Sequence, residues 1–128
     1  VEYEFPAWPH VTFGLRLTPL LVYFEDEGAD GDSHTIYGSA AGISARYYFE
    51  QSSYRKWYAE GAFAPLWHSR RFEGNSSKVN TWSELGIGYR FPNAPWSMAL
   101  KFSHISNANL SHDNSAVNAF LLAIGYSF

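Results

Sequence analysis

Cysteine is absent from the 128 residues, methionine occurs once, and only 16% of positions carry charge. Without cysteine there is no disulfide framework, no thiolate nucleophile and no Cys-ligated metal site. Soluble domains are about a quarter charged, so so little charge argues against a small water-soluble globule. Basic excess is also missing. Nine Lys and Arg stand against twelve Asp and Glu, for a net charge of −3, and a nucleic-acid binder needs a basic face. Long apolar runs are missing too. The longest uncharged stretch, Asn114 to Phe128, falls short of the ~20 residues that span a bilayer as a helix. No charged-then-apolar leader opens the sequence, so a mature chain is expected if the protein is exported.

What is abundant is aromatic. Five Trp, nine Tyr and ten Phe make up 19% of the chain, and ten Gly accompany them. Such a composition excludes disorder, which needs few aromatics and high net charge. The length allows one domain, residues 1–128.

The apolar residues recur with period two, the signature of strands with two unlike faces. From Val117 to Phe128 one face reads Phe120, Leu122, Ile124, Tyr126, Phe128 and the other Ala119, Leu121, Ala123, Gly125, Ser127. Trp96 to Ser106 sets Trp96, Met98, Leu100 and Phe102 against Ser97, Ala99, Lys101 and Ser103. Ser83 to Phe91 sets Leu85, Ile87, Tyr89 and Phe91 against Glu84, Gly86, Gly88 and Arg90. The same scheme runs through Val11 to Leu17 and Thr35 to Phe49, more weakly through Lys56 to His68, and Val1 to Phe5 reads as the tail of one more strand. Turn-forming clusters separate them at Glu25–Ser33, Gln51–Arg55, Gly74–Lys78, Pro92–Pro95 and Asn107–Ala116.

A soluble sandwich would bury the bulky face and expose a charged one. Here the second face is Gly, Ala and Ser, with Arg16, Arg46, Glu60, Glu84, Arg90 and Lys101 embedded in it. That is the inside-out pattern of an antiparallel transmembrane β-barrel, apolar toward lipid and small or polar within. The six charges are expected to form an interior ion-pair network. Tyr23, Phe24, Tyr47, Tyr48, Phe49, Trp57, Trp67 and Trp96 are expected in interfacial aromatic girdles. Bacterial barrels have even strand numbers. Six full segments and a stub therefore predict about eight strands, with an N-terminal strand and a half missing and the edge closed by another segment or chain. About eight strands leave an interior just filled by side chains, so no pore is expected. The acidic loop from Glu25 to Asp32 lacks the EF-hand ligand positions and reads as a solvated extracellular loop. His10, His34, His68 and His112 are scattered, so neither a metal nor any other cofactor is expected.

One stretch carries chemistry. His104 and Ser106 share the parity of Phe102 and so continue the outward face, at a strand end. A hydroxyl beside an imidazole is the minimum for nucleophilic acyl transfer, and on that face it meets an amphiphile in the membrane. Asn107 adds an amide donor suited to an oxyanion. The run His104-Ile105-Ser106-Asn107-Ala108 resembles the lipid A 3-O-deacylase family of outer-membrane barrels, as do Glu84 to Phe91 and the final Gly125-Tyr126-Ser127-Phe128. The resemblance implies Ser106 as nucleophile, His104 as base and Asn107 in the oxyanion site. It implies lipid A or lipopolysaccharide as partner, the bacterial outer membrane as location, and hydrolysis of the 3-position ester as reaction. In that family a Glu fourteen residues after the motif His orients it; this chain has Asn118 there. Asn118 has the outward parity of Phe120. It can hold an imidazole but cannot compensate an imidazolium, which leaves a catalytically silent barrel with a structural or partner-binding role as the alternative.

Overall fold

The computed structural model describes residues 1–25, 33–50 and 54–127. They form one seven-stranded antiparallel meander, each strand pairing with the next in the chain. The strands are β1 (Glu2–Trp8), β2 (Val11–Glu25), β3 (His34–Tyr48), β4 (Lys56–His68), β5 (Val79–Arg90), β6 (Trp96–Ser106) and β7 (Val117–Tyr126). No described residue is helical, and no helix is long enough and apolar enough to cross a membrane. The expected turn Gln51–Arg55 and the acidic loop fall largely on residues 51–53 and 26–32, which, with Phe128, lie outside the described residues.

Connections differ between the two ends. Residues 9–10, 49–55 and 91–95 link strands at one end, and the longer segments 26–33, 69–78 and 107–116 at the other. In outer-membrane barrels the longer loops are extracellular.

The faces divide as the periodicity predicts. On β5, Leu85 and Ile87 are exposed while Glu84 and Gly88 are buried; on β6, Met98, Leu100 and Phe102 are exposed while Ala99, Lys101 and Ser103 are buried. Exposed side chains here are large and apolar, the reverse of a water-soluble sheet. Outside the short-connection end, Trp57, Tyr89 and Phe91 stack edge to face, as do Trp96 and Tyr126. Phe24 and Trp67 are exposed at the other end.

Two of the expected girdle residues lie inside instead. Tyr48 is fully buried against Tyr58 and donates to Glu4 Oε1 at 2.9 Å. Its parity on β3 opposes that of exposed Tyr47, so the two cannot share a face. Tyr23 packs edge to face on buried Phe72 at 5.2 Å. The cause is a bulge in β2: Thr18 pairs with Ala40 but Leu21 with Gly38, so Pro19 and Leu20 oppose the single residue Ser39. The extra residue swaps the faces beyond it. Proline, which has no N–H to give the ladder, fits at such a bulge.

β1 pairs only with β2 and β7 only with β6, so the sheet is curled but not closed. Ion pairs across the lumen hold the curl. Arg16 on β2 meets Glu2 (2.7 Å), Glu60 on β4 (2.8 Å) and Glu84 on β5 (2.6 Å). Arg46 meets Glu2, Glu4 and Glu60 at 2.6, 2.8 and 2.5 Å. Arg90 reaches from β5 to Glu4 on β1 at 2.5 Å, and Lys101 contacts Glu60 and Glu84 at 2.5 and 3.3 Å. The predicted interior network thus holds four cations against four carboxylates, two of them, Glu2 and Glu4, from the stub. Small residues make room for it and for the rings beside it: a Cβ at Gly88 would occupy the space of the Tyr58 ring.

Side chains do not fill the interior. A cavity of about 800 Å³ is lined by this network, bordered by β1 on one side and by residues 123–127, at the end of β7, on the other. The expected filling assumes a closed ring of strands, and this sheet is open. Ile36, Ala40, Leu66, Phe72 and Ile105 form an apolar core toward the long-loop end.

Candidate active site

β5, β6 and β7 present a polar patch on their outer face just below the long loops. The register places Thr81 opposite Ser106, Ser83 opposite His104, and His104 opposite Asn118. Antiparallel partners have Cβ atoms about 5 Å apart, so residues fourteen apart in sequence become neighbours once 107–116 reverses the chain. Directly below, Phe102 and Phe120 pack edge to face at 5.6 Å. The polar patch therefore begins where the apolar band ends.

Three side chains form a line of hydrogen bonds. Asn118 Oδ1 lies 2.7 Å from His104 Nδ1, and His104 Nε2 lies 3.1 Å from Ser106 Oγ. An amide oxygen only accepts, so Nδ1 is the donor and Nε2 is left to accept from the serine hydroxyl. That tautomer allows the ring to take the Oγ proton. Ser106 is 7% exposed, His104 partly exposed and Asn118 exposed. Thr81 Oγ1 donates to the Ser106 carbonyl at 2.9 Å, fixing the backbone beneath the hydroxyl. Thr81 lies two residues before the strand start expected at Ser83 and shares its outward parity, the signal that reaches it.

Asn107 is placed differently from the expectation. It is 1% exposed. Its backbone N–H donates to Asn114 Oδ1 at 2.7 Å, and its side-chain amide donates to the Asp113 carbonyl (2.7 Å) and Asn75 Oδ1 (3.4 Å). In this structure those donors are engaged in loop structure, and Asn107 anchors the loop that follows Ser106. Ala108 and Asn109 follow with φ of 53° and 60°, both left-handed. Such a conformation costs a residue with a Cβ roughly 1 kcal/mol or more, and the anchoring bonds of Asn107 and Asn114 hold the turn.

The same bonds join two loops. Ser76 N–H donates to the Asp113 carbonyl at 3.0 Å and Ser115 N–H to the Gly74 carbonyl at 2.8 Å, while Asn75 pairs with Asn114 as an isolated bridge. Segment 69–78 is thereby bound to the loop that follows Ser106. No group of three or more His, Cys, Asp or Glu able to hold a metal occurs among the described residues.

Fold and patch together define a class: a membrane-type β-barrel wall, charged within and apolar without, bearing a hydroxyl–imidazole–amide relay on its outer face. Comparison with known proteins adds the family. The family model for lipid A 3-O-deacylase (PagL) matches residues 1–127. The chain belongs to the lipid A 3-O-deacylase family, whose members are β-barrels acting on lipid A. No curated protein and no solved structure gives a significant match.

Proposed function

We propose that the protein is an outer-membrane hydrolase that removes the 3-linked acyl chain of lipid A, with Ser106 as nucleophile, His104 as general base and Asn118 orienting the imidazole. The observation that carries this reading is the relay Asn118–His104–Ser106 on the outward face, the face that a membrane lipid would meet. Ser106 Oγ attacks the ester carbonyl as its proton passes to His104 Nε2. Collapse of the tetrahedral intermediate returns that proton to the departing 3-oxygen of the sugar and leaves the acyl chain on Ser106. Water, activated by the same nitrogen, then releases the fatty acid and restores the hydroxyl.

Asn118 supplies orientation without charge. In serine proteases an amide in place of the orienting carboxylate costs ~10⁴ in rate, so turnover is slow. The same observation favours the second reading, a barrel without catalysis. Mass spectrometry of lipid A from outer membranes of cells producing the chain, or its Ser106→Ala variant, separates them. Loss of one 3-linked acyl chain with the native chain alone supports hydrolysis; identical lipid A from both leaves the silent barrel.

A further inference from the structure

The weakest link of the relay is at Ser106. Asn118 meets His104 at 2.7 Å, but His104 Nε2 stands 3.1 Å from Ser106 Oγ, near the far end of the span of about 2.6–3.2 Å that joins a nucleophile to its base. A shift of a few tenths of an ångström would part them. Ser106 is also the last residue of β6. After it the chain leaves the sheet for a turn in which Ala108 and Asn109 are left-handed. Whatever holds the serine at this strand end therefore decides whether the pair stays in contact.

Two side chains hold it. The peptide that joins Ser106 to Asn107 is one rigid plane, with the Ser106 carbonyl at one end and the Asn107 N–H at the other. Thr81 Oγ1 donates to the carbonyl at 2.9 Å, and Asn114 Oδ1 accepts from the N–H at 2.7 Å. The two anchors come from separate elements, β5 and the segment 107–116. On its other side Ser106 is held by the sheet, where it pairs with Thr81 itself. With both sides fixed, so is the direction of its Cα–Cβ bond and hence of the hydroxyl. The row in which Thr81 stands says why a hydroxyl is there. Its companions on that face of β5 include Val79, Leu85 and Ile87, all exposed and apolar. Valine has the branched shape of threonine and suits such a surface. A hydroxyl there costs free energy unless it is bonded, and the bond it makes is to the carbonyl of the nucleophile.

We infer that Thr81 is a positioning residue of the site: its hydroxyl steadies the 106–107 peptide through the Ser106 carbonyl and so keeps Ser106 Oγ on His104 Nε2. It acts through Ser106 rather than on the substrate. This rests on the proposed reading for the use made of the serine, but the hold on the peptide can be read without turnover.

The experiment compares the native, Thr81→Val and Thr81→Ser chains in detergent micelles, with Ser106→Ala as the blank. Acyl release from lipid A gives kcat and KM, and hydrogen–deuterium exchange of the Asn107 amide reports on the peptide plane. Thr81→Val should lower kcat per folded molecule by about 10- to 100-fold and leave KM unchanged, because a misplaced nucleophile loses rate rather than binding. The Asn107 amide should exchange about tenfold faster, the worth of one hydrogen bond. Thr81→Ser keeps the donor and drops only a methyl group, so both readouts should stay within about threefold of native. Unchanged kcat in Thr81→Val, with only a lower unfolding midpoint, would overturn the positioning role. So would a Thr81→Ser chain as slow as Thr81→Val. Native release no greater than that of Ser106→Ala, with exchange responding as expected, removes the proposed reaction and keeps the hold on Ser106. The same lack of release with unaltered exchange removes both.

Discussion

On the inner face of the wall, polar groups are handled by matching whole charges. Arg16, Arg46, Arg90 and Lys101 are each within ion-pair distance of Glu2, Glu4, Glu60 or Glu84. On the outer face of the same strands, His104, Ser106 and Asn118 are joined by single hydrogen bonds and contain no carboxylate. The solvent explains the contrast. An interior with room for water and several counter-charges tolerates ions, whereas a charge turned toward hydrocarbon costs several kcal/mol unless paired. Asn at 118 keeps the outer line of hydrogen bonds uncharged; under the proposed mechanism it orients His104 without compensating an imidazolium. The inside is joined by ion pairs that hold the wall, the outside by a neutral line of hydrogen bonds.

The largest test removes the outer chemistry. Ser106→Ala should lower acyl release at least ~10⁴-fold, measured by mass spectrometry of released fatty acid, and leave the unfolding midpoint unchanged. Unaltered release would erase the distinction between the faces. Asn118→Glu is next and opposite in sign. If the amide's neutrality limits the rate, a carboxylate hydrogen-bonded to His104 should raise release by up to ~10⁴-fold. A rate that does not rise would mean that orientation alone suffices and that compensation matters little here.

Glu60→Gln probes the inner face. Glu60 is almost fully buried and contacts Arg16, Arg46 and Lys101, so its loss leaves three cations short of a partner. Breaking a buried pair this way costs about 3 kcal/mol, read as a lower unfolding midpoint in denaturant, with acyl release per folded molecule unchanged. The smallest effect belongs to the seam between the long loops. Asn75→Ala removes the acceptor for the Asn107 amide and for Ser77 N–H, at about 1 kcal/mol. Acyl release should fall more than stability does, because the turn after Ser106 loosens.

Period-two patterning made the wall legible, since Leu85 and Ile87 against Glu84 and Gly86 leave little choice about which side meets lipid. The relay was legible for a related reason: strand parity puts His104 and Ser106 on one face, and a short reversal brings Asn118 opposite. Where reading failed, the determining contact was remote or local geometry broke the period. The Pro19–Leu20 bulge exchanged the faces of β2 and carried Tyr23 inside. Asn107 looked free because its partners, Asn75 and Asp113, come from loops whose approach no local pattern announces. The contribution of Glu2 and Glu4 depended on β1 docking across the lumen from β5.

That last contact bears on how the strand finds its place. Before β1 docks, the inner surface of β2 to β6 holds Arg16, Arg46, Arg90 and Lys101 against Glu60 and Glu84 only, a surplus of two positive charges. β1 alternates Glu2 and Glu4 with Tyr3 and Phe5, so docking in the native register cancels the surplus and leaves the rings outside. A slip of one residue would send both carboxylates into hydrocarbon and both rings into the lumen. A slip of two would keep the sidedness but move each carboxylate about 7 Å along the strand, away from the guanidinium it meets. A seven-residue edge strand is thus keyed to one position by two charges, as a short tether is fixed by its end-fittings rather than its length.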